Sequence, residues 1–414
     1  MTFTPPFGTA VHVRSRLDDE GAGRWRAWFA AGAVLGIAWL LFWLSAREVP
    51  WVRRDFFFLA DAFLHGRTWL TFEPYQWDQI VIGNRVYVPF GPLPAILLMP
   101  LVAALGADRA GTLEPGINTL LAAACVALLW ALLGRMRVRR MVDRLWLCAL
   151  LGFSSPIWWI ADRGGVWHTG QLVATVLTMI CLVELWGSRR PWLIGLVAGA
   201  AFLARPTLAL ALPVYAVFLL GSWRWPLGRM AIARLVAFAV AVVPSFAFFA
   251  WYNATRFGSP LESGYALAAV PAFLEAQRRQ GLFSSAHLGM NVDQLFLRLP
   301  TFLSSFPFLV PDGYGMSIFL TSPGLLIAIG AAWRSREARL LLAAAALVLL
   351  PTLFYYGGGW KQYGYRYALD SIPFVVALCG LAVARMGRIP LLGRLLIVVG
   401  IGVNLIGVYW AFRL

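Results

Sequence analysis

The chain has 414 residues, of which 60% are hydrophobic and only 13% are charged, and its mean hydropathy is +0.72. Soluble globular proteins contain about 45–50% apolar and about 25% charged residues, so this composition excludes a soluble globular domain and a disordered chain. Four cysteines in this length exclude a disulfide scaffold. The composition therefore predicts an all-α integral membrane protein.

The net charge of +16 reflects 35 basic residues, among which Lys361 is the only lysine. This excess of arginine suggests a GC-rich bacterial genome, by inference from codon usage. The arginines gather in short gaps between apolar runs, which is the positive-inside pattern of a multi-pass membrane protein and requires no nucleic-acid partner. The gaps predicted to face the cytoplasm are 135–144, 189–190, 223–234, 334–339 and 385–394.

A helix that crosses a bilayer needs about 20 apolar residues. The first 26 residues are polar and precede a run long enough to span, so no cleavable signal peptide is expected. We predict a protein of the bacterial cytoplasmic (inner) membrane, with its N-terminus in the cytoplasm and its C-terminus outside. About eleven spans are predicted, at 27–46, 115–134, 145–161, 168–187, 192–204, 206–222, 231–252, 317–333, 340–356, 371–386 and 390–412.

A further apolar stretch, 91–106, is short and contains Pro92, Pro94 and Pro100, which break helices. If this stretch crossed the bilayer, the arginine cluster at 135–144 would lie outside the cell. We therefore predict that 91–106 is re-entrant or lies at the membrane interface.

Two long hydrophilic segments, 47–114 and 253–316, and a short one at 357–370 are then predicted on the extracytoplasmic side, where chemistry is expected. The first is rich in aromatic residues and should form amphipathic juxtamembrane helices on the membrane surface. No internal repeat or low-complexity linker is visible, so residues 1–414 are expected to form a single polytopic domain.

Asp55 is the candidate catalytic residue of the first segment. At about 100° per residue, Arg54, Asp61 and His65 fall on one helix face, whereas Asp55 points away from it. A carboxylate held beside apolar surface should have a raised pKa, as a general base requires. The alternative is that Asp55 only caps its helix.

Other candidates for ligand contacts lie in the turn after this helix and in the gap at 162–170. Arg85 and Tyr87 belong to a turn rich in proline and glycine, and packing is the alternative to ligand binding. Asp162 and His168 are possible catalytic or acceptor-binding residues. The alternative for Asp162 is a surface ion pair with Arg163, which would be worth little.

Three cations are candidates for binding a phosphate group. Arg205 is predicted on the extracytoplasmic side, where arginine is disfavoured, and a bound anion would explain its position there. Snorkelling of its side chain to the membrane interface is the alternative. Lys361 and Arg366 accompany a glycine run and several aromatic residues, of which Tyr363 and Tyr365 are candidate sugar or lipid contacts. An interfacial aromatic belt explains the tyrosines but not these two cations. No clustered His, Cys or Glu spacing supports a metal site, so no obligatory cofactor is expected.

The order of these motifs resembles the GT-C-fold glycosyltransferases, and in particular bacterial relatives of the protein O-mannosyltransferases and of the lipid A aminoarabinose transferases. The resemblance covers nearly the whole chain. The segments that carry it are Arg54–Gly66, Tyr87–Pro92, Trp167–Gly170, Phe202–Thr207, Tyr252–Pro260, Thr321–Leu326 and Gly364–Pro373.

The resemblance implies an inverting transferase that moves a sugar from a polyprenyl-phosphate donor to a lipid, glycan or protein acceptor outside the membrane. It places Asp55 near the acceptor. Several relatives carry paired acidic residues at this position, whereas Arg54 and Phe56 flank Asp55 here, which argues against a metal-assisted version. Two other classes remain open: a secondary transporter and a non-catalytic polyprenyl-lipid-binding protein of envelope glycan assembly.

Overall fold

The computed structural model describes residues 28–46, 53–71, 77–221 and 227–411. The described chain is mostly helical, and its two small sheets each consist of two antiparallel strands. The helices of the first half are α1 Trp28–Ser45, α2 Asp55–Leu64, α3 Leu93–Leu105, α4 Ala107–Gly111, α5 Glu114–Arg135, α6 Met141–Phe153, α7 Ile157–Arg163, α8 Val166–Leu185 and α9 Pro191–Ala204. Strands β1 Ile80–Ile82 and β2 Arg85–Tyr87 form a hairpin between α2 and α3.

The second half begins with the 3-10 helix Pro206–Ala211, which leads directly into α10. Its helices are α10 Leu212–Leu220, α11 Arg229–Phe257, α12 Ala272–Arg278, α13 Leu288–Val292, α14 Ile318–Thr321, α15 Arg336–Phe354, α16 Ile372–Met386 and α17 Leu391–Ala411. Strands β3 Thr301–Phe302 and β4 Leu309–Val310 form a second hairpin, in which Thr301 pairs with Val310.

Several apolar helices are able to span a membrane, but the predicted count of eleven is wrong. Six described helices are long and apolar enough to cross, and a seventh crossing results if α6 and α7, bent by 49°, form one broken span. The six are α1, α5, α8, α11, α15 and α17. These helices agree with an all-α, multi-pass membrane protein.

Helix breaks inside the apolar runs account for the difference. The predicted span 192–204 forms α9, which has 14 residues, a length of about 21 Å against a hydrocarbon core of about 30 Å. The predicted span 206–222 divides into the 3-10 helix Pro206–Ala211 and the nine residues of α10. The run 317–333 divides into the four residues of α14 and a 3-10 helix at Pro323–Gly330. Apolar composition alone therefore overcounts the helices that cross.

The short helices pack among the long ones in one large apolar cluster. The packing of α9 against α11 depends on small residues, because a Cβ atom on Gly195 would lie 2.4 Å from the carbonyl oxygen of Phe238 and one on Gly199 would lie 2.5 Å from Ser245 Oγ. Small residues of this kind let helix backbones approach closely within a membrane.

The segment 47–114 is more compact than the prediction of surface helices implied. Within it, α2 buries Phe56, Phe57 and Leu59 in a second apolar cluster, to which α3 also contributes. The stretch predicted to be re-entrant forms α3, a helix of 13 residues that contains Pro100. The first segment therefore has its own small core beside the transmembrane helices.

Candidate functional site

A cavity of about 940 Å³ lies between the two hydrophilic segments and the ends of several helices. Its walls include residues just before β1, the loop after β2, the start of α8, the start of the 3-10 helix at Pro206, the end of α15 and the loop that follows it. The charged or ionisable residues among the lining are Asp78, Arg163, His168, Arg205, Tyr265, Tyr355, Tyr356, Lys361, Arg366 and Tyr367. A volume of this size is typical of sites that enclose a small ligand or part of a lipid.

The cavity lies at the ends of the helices that are remote from the arginine clusters. Trp167 lines it at the start of α8, whereas Arg189 and Arg190 follow the other end of this helix. In the same way, α15 begins at Arg336 and contributes Thr352 to the cavity from its last turn.

Long-range hydrogen bonds position the walls. The guanidinium of Arg256, near the end of α11, donates to the carbonyl oxygen of Val88 at 2.8 Å, which fixes the neighbouring wall residues after β2. The side-chain amide of Asn291 donates to the carbonyl oxygens of Leu353 and Tyr355 at 3.1 and 2.9 Å. The second hydrophilic segment is thereby attached to the end of α15.

Three cations of the cavity wall have no ion-pair partner within the described residues: Arg163, Lys361 and Arg366. Arg163 Nη1 donates a hydrogen bond to the carbonyl oxygen of Lys361 at 2.8 Å, and Arg163 is close enough to Arg366 for the two charges to repel. The side-chain amide of Gln171 donates to the carbonyl oxygen of Arg366 at 3.0 Å. This cation cluster is a ready site for a bound anion, because an anion would relieve the repulsion.

Arg205 also lines the cavity but is engaged by a partner from its own chain. Its Nε and Nη2 atoms lie 3.1 and 2.9 Å from Asp370 Oδ2, and the side chain of Asp370 is fully buried. Thr207 Oγ1 donates to the same oxygen at 3.2 Å. The aromatic ring of Tyr367 lies 5.8 Å from the Arg205 guanidinium and 5.3 Å from that of Arg366.

Asp78 is the one carboxylate that lines the cavity within the described part of the chain. Its Oδ2 atom accepts a hydrogen bond of 2.8 Å from the indole Nε1 of Trp167. Its backbone has a φ of 59°, in the left-handed region, and its N–H donates to the carbonyl oxygen of Ala269 at 2.6 Å. Such backbone strain persists only where the surroundings hold it, and it concentrates at functional sites.

Asp55 is buried, with 4% of its surface exposed, as its predicted position off the solvated face requires. It does not line the cavity. Arg53 forms an ion pair with it, and Gln79 Nε2 lies 3.4 Å from its Oδ2 atom. Burial raises the pKa of Asp55, and the charge of Arg53 opposes this shift. Capping alone does not explain Asp55, because Arg54 is the N-cap residue of α2 and makes no side-chain capping bond.

Asp55 and Asp78 are connected through shared neighbours. The guanidinium of Arg53 lies 5.4 Å from the ring of Trp167, the residue that donates to Asp78. Arg53 also donates to the carbonyl oxygen of Trp77. Asp55 thus lies one layer behind the cavity, where it orients residues that hold Asp78.

His168 lines the cavity and is 3% exposed. Its Nδ1 atom is hydrogen-bonded to the carbonyl oxygen of Gly164, so Nδ1 carries the proton of the neutral ring and Nε2 is an acceptor. Nε2 is buried and has no hydrogen-bond partner within the described residues.

Asp162 does not line the cavity and is fully buried, close to Ser45 of α1. The expected surface ion pair with Arg163 is therefore wrong, because Arg163 instead contacts Lys361.

Four other predicted contact residues lie outside the cavity lining. The guanidinium of Arg85 stacks 4.1 Å from the ring centre of Trp69, and Tyr87 is buried against Phe257. Tyr363 donates to the carbonyl oxygen of Val403 at 2.6 Å. Tyr365 is buried and its hydroxyl lies 3.2 Å from the carbonyl oxygen of Thr352. Of the four, Tyr365 contacts a wall residue, Thr352.

Sequence reasoning missed Asp78 and Tyr265 and assigned Arg163 to the surface. Tyr265 lines the cavity, and burial raises its pKa to about 12, so its hydroxyl is protonated at neutral pH. The available signal for Asp78 was the polar pair Asp78 and Gln79 beside Trp77 in a segment already expected to carry chemistry.

No group of three or more His, Cys, Asp or Glu residues within the described ranges is arranged to hold a metal ion. Comparison with protein-family models, with curated proteins and with solved structures gives no match to this chain. The function must therefore be argued from the cavity and from the motifs in the sequence.

Proposed function

We propose that the protein is an inverting glycosyltransferase that moves a sugar from a polyprenyl-phosphate donor to a lipid, glycan or protein acceptor. The observation that carries the proposal is the pairing of an unneutralised cation cluster with one carboxylate in a cavity that reaches transmembrane helices. A transferase of this kind must hold a phosphate, admit a lipid and accept a proton.

The cation cluster of Arg163, Lys361 and Arg366 is the proposed phosphate site. The phosphate of a polyprenyl-phosphate sugar carries one negative charge, and the departing polyprenyl phosphate gains a second. Cations that bind the second charge more strongly than the first lower the barrier, because they stabilise the transition state more than the bound donor. Arg205 has a secondary role, since Asp370 already engages two of its nitrogens.

The lipid part of the donor is proposed to enter from the bilayer. Phe249 of α11 and Pro351 of α15 line the cavity. On the same helices, Phe246 and Leu350 are 41% and 49% exposed. The helices that line the cavity therefore also present apolar surface, which suits a prenyl chain attached to a phosphate inside.

Asp78 is the proposed general base. The acceptor hydroxyl attacks the anomeric carbon, the bond from that carbon to the phosphate oxygen breaks with inversion, and the hydroxyl proton passes to the Asp78 carboxylate. Asp55 becomes a positioning residue behind Asp78.

The proposed location is the bacterial cytoplasmic membrane, with the cavity on the extracytoplasmic side. The support is the separation of the cavity from the arginine clusters along α8 and α15, together with the positive-inside rule. No metal ion or other cofactor is part of the proposed reaction.

The test uses purified protein in lipid nanodiscs and a panel of polyprenyl-phosphate sugars. We expect one donor to be consumed in the presence of membrane acceptors, with release of polyprenyl phosphate. Asp78→Asn should still bind that donor but lose the ~10²–10⁴-fold that positioned proton transfer contributes.

Two results would contradict the proposal. Donor binding without turnover of any panel member would favour a non-catalytic lipid-binding protein. Uptake of a labelled solute into proteoliposomes, together with no donor binding, would favour a transporter.

A further inference from the structure

The hairpin of β3 and β4 is an apolar projection with a charged base. Residues 299–311 contain no charged side chain. At the base, Arg298 forms ion pairs with Asp293 and Asp312, the latter at 2.7 Å. The charged groups are thus gathered at one end of the projection.

Exposed loops of proteins are mostly polar, whereas the apolar side chains of this hairpin are exposed. Leu299, Phe302 and Phe308 are 65%, 69% and 53% exposed, and Leu303 and Phe306 are 41% and 54% exposed. None of the hairpin residues lines the cavity, so the apolar surface does not serve that site.

The hairpin adjoins a helix that is able to span the membrane. The ring of Phe306 lies 4.6 Å from the ring of Tyr409 on α17. Along α17, the apolar residues Leu395, Val399 and Leu405 are exposed by more than half, as expected of a lipid-facing surface. The exposed surface of the hairpin continues this face.

The end of α17 that the hairpin touches is opposite to the end that carries Arg388 and Arg394. Arg388 precedes α17 and Arg394 lies in its first turn, whereas Tyr409 lies in its last turn. The hairpin is therefore at the same end of the helices as the cavity.

We propose that residues 299–310 are inserted into the interfacial layer of the bilayer leaflet on the cavity side and anchor the second hydrophilic segment to lipid. The hairpin satisfies part of its backbone internally, since Thr301 pairs with Val310 and Leu303 N–H donates to the carbonyl oxygen of Phe308 at 2.8 Å. Non-helical backbone exposed to lipid does not occur in the hydrocarbon core, so the insertion is shallow.

Site-specific fluorescence in lipid vesicles tests this proposal. The four native cysteines are buried, so single cysteines introduced as Phe302→Cys and Leu303→Cys can be labelled selectively with an environment-sensitive dye. Gln280→Cys, at an exposed position outside the hairpin, is the matched control. Phospholipids with a nitroxide near the headgroup or near the chain end serve as quenchers.

We expect blue-shifted emission at both hairpin positions, and stronger quenching there than at the control position. The nitroxide near the headgroup should quench more than the one near the chain end. Quenching at both hairpin positions no greater than at Gln280 would overturn the proposal. A blue shift of the dye that occurs only when the protein dimerises, without quenching by the nitroxide lipids, would show that a second copy of the chain covers the hairpin. That result would also overturn the proposal.

Discussion

Arg163 Nη1 donates a hydrogen bond to the carbonyl oxygen of Lys361 at 2.8 Å, and so joins the end of α7 to the loop after α15. The contact uses the backbone of Lys361 and leaves the ammonium group of this residue without an ion-pair partner in the described chain. Lys361 itself has a φ of 53°, a conformation that non-glycine residues adopt rarely. Two cations are thereby held together without a protein carboxylate between them.

The first prediction concerns this cation cluster. Arg163→Gln and Arg366→Gln should each weaken donor binding by about 2–5 kcal/mol, which is typical of truncating a charged hydrogen-bond partner. This loss corresponds to an increase of roughly 30-fold or more in the dissociation constant. Titration of nanodisc-embedded protein with a labelled polyprenyl-phosphate sugar measures the effect. Arg85→Gln is the control, because Arg85 stacks on Trp69 outside the cavity. Equal affinity in all three variants would remove phosphate binding from the cluster.

The second prediction separates Arg205 from the cluster. Arg205→Ala leaves the buried carboxylate of Asp370 without its ion-pair partner, which should destabilise the protein by about 3–5 kcal/mol. The double change Arg205→Met with Asp370→Leu should recover much of this loss, because no unpaired charge remains. Thermal unfolding in detergent measures both. An Arg205→Ala protein that melts normally but binds donor weakly would instead identify Arg205 as a principal phosphate ligand.

The third prediction distinguishes the two carboxylates near the cavity. If Asp78 is the base and Asp55 positions it, Asp78→Asn should lose the ~10²–10⁴-fold that positioned proton transfer contributes. Asp55→Asn should lower turnover by up to ~10²-fold through misplacement. The kcat values of the two variants, with donor binding measured in parallel, therefore decide between them. A large loss of turnover in Asp55→Asn, with near-normal turnover in Asp78→Asn, would return the catalytic role to Asp55.

The fourth prediction follows from the raised pKa of Asp55, which burial causes. Because this pKa is higher in the folded protein than in the unfolded chain, folding favours the protonated carboxyl. The associated stability is present in acid solution and is lost as pH rises through the folded pKa. The melting temperature of wild type relative to Asp55→Asn should therefore fall as the pH rises above about 4, the ordinary pKa of an aspartate carboxyl. A rise above this pH would show that Arg53 lowers the pKa more than burial raises it.

The fifth prediction concerns orientation. Arg139 and Gln280 are both exposed and lie in segments predicted on opposite sides of the membrane. In intact cells, Gln280→Cys should react with a membrane-impermeant thiol reagent, whereas Arg139→Cys should react only after the cells are opened. The buried native cysteines provide a low background. Labelling of Arg139→Cys from outside would place the cavity on the cytoplasmic side.

Much of the cavity was predictable, because residues that face a common space also break the apolar pattern. His168, Arg205, Lys361 and Arg366 were conspicuous as polar groups at the ends of apolar runs, and all four line the cavity. The number of spans was not predictable in the same way. Hydropathy measures the polarity of a run but not the length of regular helix within it, so 317–333 was counted as one span although it divides into the four residues of α14 and a 3-10 helix.

The partners of charged residues were hidden for a different reason. Arg205 needed an anion, and the structure supplies Asp370, which lies 165 positions further along the chain. Asp55 was correctly expected to be buried, but it does not line the cavity. Its neighbour Gln79 lies 24 positions further along the chain. A single sequence carries no signal for such pairs.

The position of the cavity beside α11 and α15 affects how affinity for an amphiphilic ligand should be expressed. Phe249 and Pro351 line the cavity, and Phe246 and Leu350 on the same helices are exposed apolar residues. A prenyl-linked ligand would approach by diffusion in the plane of the bilayer, so its mole fraction among the lipids sets occupancy. Adding empty vesicles that exchange lipid with the nanodiscs should then lower occupancy by surface dilution, even when the amount of ligand per volume of solution is unchanged.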